Sequence, residues 1–156
     1  MNNSFLYFLS KYLNNYLPLT VGVSKNTIKA YSDTFKLLFT FAKEKYKLNP
    51  KKVQLEIMNK KFILEFADWT VSKRNCSETT RNLRLNNIKA FFLYIQAQIP
   101  SLSLHSQNIL QIPKKKVEKK VVDYITTKGI QLILDQPDTN TILGKSTLLY
   151  YLFYMQ

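Results

Sequence analysis

The sequence predicts an all-α protein: a compact four-helix bundle, then a basic connector, then one or two further helices. Three observations carry this. Glycine is scarce, with three in 156 residues. Strand-type alternation of apolar and polar residues is weak. Apolar residues instead recur at 3–4 spacing in stretches separated by proline, glycine or polar breaks. At 46% hydrophobic and 13% aromatic residues, the chain has enough apolar material for a real core.

The first helix is expected from about Ser4 to Tyr16, with Phe5, Phe8, Leu9, Tyr12, Leu13 and Tyr16 on one side and Pro18 and Gly22 ending it. Ser24 is a good cap for a second helix running to about Tyr46, whose buried face is Ile28, Tyr31, Phe35, Leu38, Phe39 and Ala42. Asn49-Pro50 breaks the chain. Asn59 caps a third helix to Val71, with Phe62, Phe66 and Trp69 as its apolar stripe. Ser77 opens a fourth, to about Ala97, with Leu85, Ile88, Phe92 and Ile95 on one face, and Pro100 closes it. Ser101 to Gln111 reads as a polar loop.

Charge divides the chain. Residues 1–113 hold 16 basic and 6 acidic side chains, residues 114–122 five lysines and one glutamate, and residues 123–156 two lysines and three aspartates. The total is +13 at pH 7, which suits a polyanionic partner. The lysine run from Lys114 repels itself, so residues 113–122 are expected to be an extended interdomain linker. Beyond it, Thr126 or Thr127 caps a short helix to Leu134, Pro137-Asp138 makes a turn, and a last helical run follows Gly144. The expected division is therefore 1–112, 113–122 and 123–156.

Several function classes find no support. Cys76 is the sole cysteine, so neither an internal disulfide nor a zinc cluster is expected. The lone His105 has no partner set. Gly144-Lys145-Ser146-Thr147 lacks the earlier glycine and the preceding strand of a phosphate-binding loop. No cofactor is expected. The N-terminus lacks the pattern of a signal peptide, and the run Leu148 to Met155 is too short to span a bilayer. A soluble, cytoplasmic protein with no membrane partner is the expectation.

Two helices carry a pattern suited to nucleic acid. On the second, Lys25, Lys29, Lys36, Lys43 and Lys47 fall at spacings of 4, 7, 7 and 4, with Ser32 and Thr40 between them. Such a stripe can follow a phosphate backbone, although a solvated helix face looks similar. On the fourth, Thr79, Asn82, Asn86 and Lys89 form a polar face flanked by Arg81 and Arg84. Asparagine can pair with adenine, arginine with guanine, and lysine or threonine with phosphate. Asparagine is also a poor helix former, so two on one face are less usual on a plain solvated helix.

These residues resemble the tyrosine recombinase (phage integrase) family. Ser24, Thr27, Tyr31 and the Phe35 to Phe41 stretch are similar to the opening of its core-binding domain, and Ser77, Thr80, Leu85, Ile88, Lys89, Phe91 and Phe92 to that domain's second signature. Where the family often has Arg three residues after the Thr, this chain has Leu83, with Arg81 and Arg84 nearby. Tyr124-Ile125-Thr126, Gly129-Ile130, Leu132 to Leu134 and Gln136 to Thr139 resemble the first helix of the family's catalytic domain. Gly144-Lys145, Leu148-Leu149 and Leu152 to Tyr154 resemble its second.

The resemblance implies a SAM-like core-binding bundle, a linker, and the start of a truncated catalytic domain. The implied partner is double-stranded DNA, shared with other recombinase protomers. The implied DNA contacts are Lys25, Thr27, Lys29 and Lys36, then Thr79, Thr80, Arg81, Asn82, Arg84, Asn86 and Lys89, then Lys114, Lys115 and Lys116 of the linker. The family's catalytic arginines, lysine, histidines and tyrosine lie further along than Gln156, so no catalytic or metal-binding residue is expected here. The competing readings are a free-standing helical DNA-binding regulator and a protein-interaction module that docks through the apolar tail.

Overall fold

Capping side chains set where the helices begin. Ser24 Oγ accepts the amide proton of Thr27 at 3.3 Å, opening α2 (Lys25–Tyr46). Asn59 Oδ1 accepts from Phe62 at 3.0 Å, opening α3 (Lys60–Ser72). Ser77 Oγ accepts from Thr80 at 3.2 Å, opening α4 (Glu78–Gln98). Each satisfies an amide that the helix itself cannot. The Ser-x-x-Thr spacing common to α2 and α4 is therefore first a cap: in both, the two hydroxyls also lie 3.0 Å apart. At the other ends, Lys47 (φ 54°) and Asn75 (φ 51°) take left-handed backbone conformations that turn the chain.

The computed structural model describes residues 4–49, 53–117 and 126–154. The chain divides into two compact units, Met1–Val117 and Glu118–Gln156. Among the described residues the regular secondary structure is all helical, apart from an isolated bridge between Ser4 and Gln54. Among the described residues no helix is long and apolar enough to cross a membrane.

The first unit opens with α1 (Phe5–Lys11). Helical winding does not stop at Pro18, as the sequence suggested. It widens to π geometry over Tyr12–Val21 and ends at Gly22, whose φ of 73° reverses the chain. Tyr12 and Leu17 are buried, so packing holds this segment in line despite the proline. The polar stretch expected to be a loop is also helical: a 3₁₀ turn at Pro100–Leu102 leads into α5 (Ser103–Leu110). Its apolar signal is thin, but Leu102, Ile109 and Ile112 are buried, and burial decides a marginal helix.

One core joins these elements, organised by aromatic rings along α2. Around Phe35, Phe91 of α4 meets Phe5, Tyr12 and Phe35 with ring centroids 5.2–5.3 Å apart. A turn and a half further on, Phe41 meets Phe62, Phe66 and Trp69 of α3 at 5.2–5.8 Å. Between helices, Asn87 Nδ2 donates to Thr34 Oγ1 at 2.9 Å, a buried polar tie from α4 to α2. On α2 and α3, Lys45 and Tyr46 both donate to Glu65 Oε2, at 2.6 and 2.5 Å.

The second unit holds α6 (Thr127–Leu134), capped by Thr126 through Gly129, and α7 (Ile142–Tyr154). Gly144 is needed for a close approach: a Cβ there would fall 1.8 Å from the carbonyl oxygen of Asp138. That accounts for the glycine of the Gly-Lys-Ser-Thr string without any phosphate, since the string lies inside α7. Tyr124 and Ile125, read with this unit, lie outside the described residues, as do residues 118–122 of the expected linker.

Candidate nucleic-acid interface

Four of the predicted lysines stand along the solvent side of α2, and Lys47 follows at its left-handed C-cap. Lys25, Lys29, Lys36, Lys43 and Lys47 are all exposed, opposite the buried Thr34, Leu38, Phe41 and Ala42. Lys36 Nζ lies 3.3 Å from Asp33, an exposed pair that contributes little. Lys25, Lys29, Lys43 and Lys47 pair with no carboxylate among the described residues. The face therefore presents a row of charge with little internal neutralisation. Thr27, read as a contact, is partly buried and its hydroxyl pairs with the cap Ser24.

The α4 residues separate into two groups. Arg81 turns inward and is 3% exposed; its Nη2 lies 3.3 Å from Asp68 and its Nε 3.9 Å from Glu78. The Arg81 guanidinium is thus turned toward these two carboxylates and away from solvent, unlike a side chain held out toward a base edge. Arg84 is half-buried, with Nη1 donating to Cys76 Sγ at 2.9 Å.

Asn82 faces the connector. Its Nδ2 donates to the Lys115 carbonyl at 2.8 Å, and its Oδ1 accepts the Lys115 amide at 3.0 Å. Lys89 donates to the Ile112 carbonyl. Burial lowers the Lys89 pKa below the ordinary lysine value, with nearby Lys114 adding to the shift. Thr79 is exposed, while Thr80 and Asn86 are half-buried. Thr80 pairs with its cap serine, and the Asn86 side chain pairs with no described residue.

The start of the connector, residues 113–117, forms no helix and is exposed, yet it is tied back to α4. Ile112 is buried, and residues 113–117 belong to the first unit. Lys115 Nζ lies 3.0 Å from Glu78 and 3.9 Å from Asp68, so it joins Arg81 and the two carboxylates in a four-charge cluster. Lys114 and Lys116 are exposed. The sequence reading thus treated three lysines as equivalent where the structure ties one back and leaves two facing water. It also missed Asp68 and Glu78 as the groups that hold the connector. They are 10 residues apart in sequence, and no local pattern joins them.

Two comparisons bear on this arrangement. The phage integrase SAM-like domain family matches residues 4–98, which span α1 to α4. Two relatives from Sinorhizobium fredii (strain NBRC 101917 / NGR234) also match. The one named "Putative integrase/recombinase y4rC" is 33% identical over 122 residues, covering 78% of this chain and 37% of that protein. The one named "Putative integrase/recombinase y4rD" is 28% identical over 145 residues, covering 93% of this chain and 52% of that protein. The chain thus spans about half the length of these relatives or less. No solved structure matches it significantly. The SAM-like match over most of the first unit, with recombinase relatives aligned across it, makes this chain a member of the tyrosine recombinase (phage integrase) family that carries the family's N-terminal SAM-like domain.

Proposed function

We propose that this chain binds double-stranded DNA as the core-binding part of a site-specific recombinase. The single observation that carries the reading is the exposed lysine row of α2, which lies on a unit with net charge +10 over residues 1–113. Lys25, Lys29 and Lys36, with Lys43 and Lys47, follow the phosphates. Lys114 and Lys116 extend that track along the connector. Thr79 and Asn86 face the bases, and Thr27 and Thr80 lie at the capped helix starts, within reach of phosphate. Asn82, Lys89 and Lys115 hold the connector on α4, and so act on DNA by placing Lys114 and Lys116. Arg84 contributes only if it leaves Cys76.

These 156 residues bind without cutting, and share their DNA with other protomers. A DNA ligand and a lone thiol fit a reducing, cytoplasmic setting.

The test is a salt titration of the full chain on a duplex, followed by fluorescence anisotropy. Affinity should fall with a log–log slope of several counterions, as expected when several lysines meet phosphates. Binding indifferent to salt would overturn the reading in favour of a protein-interaction module. A covalent adduct on a nicked suicide duplex would overturn the claim that this chain does not cut.

A further inference from the structure

The outer face of α4 offers a duplex a restricted set of groups. Thr79, Leu83, Asn86 and Ala90 follow at spacings of 4, 3 and 4, so they share one side of the helix. Thr79 is exposed, Leu83 is 54% exposed, and Asn86 and Ala90 are half-buried. Every cation of the helix is held elsewhere: Arg81 by Asp68 and Glu78, Arg84 by Cys76, and Lys89 by the Ile112 carbonyl. Asn82 is committed to the Lys115 backbone in both directions. Among the described residues, what remains on the face is one free amide, one hydroxyl and two apolar side chains.

That set discriminates between base pairs. In the major groove guanine presents two acceptors, best met by arginine or lysine, and this face has neither to offer. Adenine presents an acceptor beside a donor, which an asparagine amide meets with both its atoms. Thymine presents a methyl group, which an apolar side chain covers. The position is also suitable. Asn87 donates to Thr34 Oγ1 at 2.9 Å and to the Ala30 carbonyl at 3.4 Å. Asn87, one position after Asn86, therefore ties this stretch of α4 to the stretch of α2 that carries Lys29.

We propose, resting on the duplex-binding reading above, that this chain selects A·T pairs through the major groove. Asn86 reads adenine, and Leu83 with Ala90 covers the thymine methyl. Leu83, where the family often has arginine, then becomes a specificity residue of this chain.

The experiment is selection of duplexes from a randomised library by the full chain, followed by anisotropy on the selected sequence. The expected result is a short run of A·T pairs. Replacing thymine there by deoxyuridine, which lacks only the methyl, should weaken binding several-fold, and Leu83→Ala should abolish that difference. Asn86→Ala should lose roughly tenfold on the selected duplex and little on unrelated DNA. Both substitutions put a strong helix former at an outward position, so the fold is retained.

Inosine·cytosine pairs supply the groove control, because they keep the minor-groove pattern of A·T but present a guanine-like major-groove edge. Full binding to them would overturn the proposal, as would selection of G·C pairs. Salt-dependent binding with no base preference, or a preference unchanged in both variants, would overturn this proposal while leaving the duplex-binding reading intact. Failure to bind any duplex would sink both.

Discussion

The two units use similar residues to opposite effect. In the first, Phe5, Phe35, Leu38, Phe41, Ile88, Phe91 and Phe92 are at most 1% exposed. In the second, α7 is at least as apolar in sequence, yet Ile142, Leu143, Leu149 and Phe153 are 91%, 81%, 66% and 78% exposed, and α6 buries none of its residues. Apolar content alone does not make a core. A core needs several elements whose apolar faces converge, as α2, α3 and α4 converge on Phe41 and Phe91. Two short helices have too little surface to enclose one another.

Substitution tests this contrast most sharply. Phe91→Ala should cost the first unit about 3–5 kcal/mol, because it removes a ring packed on all sides. Phe153→Ala should leave the unfolding midpoint unchanged, since that ring is 78% exposed and little burial is lost with it. Denaturant unfolding followed through Trp69, the sole tryptophan and a member of the first unit's core, reads both. Equal losses would show that the units fold as one.

Removal of the second unit comes next in size. A chain of residues 1–122 should remain folded, bind DNA within about twofold of the full chain, and self-associate less, because exposed apolar surface is lost and the deleted segment carries net charge −1. Sedimentation and anisotropy on both chains give the comparison. Unfolding of the shorter chain would mean that the tail completes the first unit.

A smaller effect is expected at the connector. Asn82→Ala removes both hydrogen bonds to the Lys115 backbone, at about 1 kcal/mol or somewhat more. Amide exchange at Lys115 should quicken roughly five-fold, while exchange in the middle of α4 stays slow. Unchanged exchange would show that the ion pairs to Glu78 and Asp68 suffice to hold the strand.

The smallest effect concerns pH. Hydrogen bonds from Lys45 and Tyr46 hold the Glu65 carboxyl below the usual carboxylate range. Its folded-state pKa is depressed, so its stabilisation is present above the unfolded value and is lost as pH falls through the folded value. Between pH 5 and pH 3 the wild type should therefore lose some stability that Glu65→Gln does not lose. The difference will be modest, because the pair is solvent-screened. Parallel losses in the two proteins would remove Glu65 from the account.

Helices with strong periodicity and a capping side chain were legible from sequence. Ser24, Asn59, Ser77 and Thr126 each mark a start that the structure confirms to within a residue. The segments that were not legible lack a local signal. The helix at Ser103–Leu110 has two serines, a histidine, a glutamine and an asparagine, and burial of Ile109 and its neighbours holds it in place. The continuation past Pro18 likewise depends on Tyr12 packing against Phe91 and Tyr94. The proposed interface was half legible: the α2 lysines are periodic, but the commitments of Asn82, Arg81 and Lys115 are made with residues up to 47 positions away.

By itself the sequence determined the all-α class, the helix starts, the basic first two-thirds and the family signatures. All of these are set by spacing or composition within a few turns of chain, where backbone geometry fixes which residues share a face. Tertiary structure alone decided which polar residues of α4 are free. A helix has several flanks, and periodicity cannot say which of them a distant strand will cover. Here the connector covers the flank with Glu78, Asn82 and Lys89, because buried Ile112 anchors it and the Asp68–Glu78 charges draw in Lys115. The flank with Thr79, Leu83 and Asn86 is what this docking leaves open to solvent.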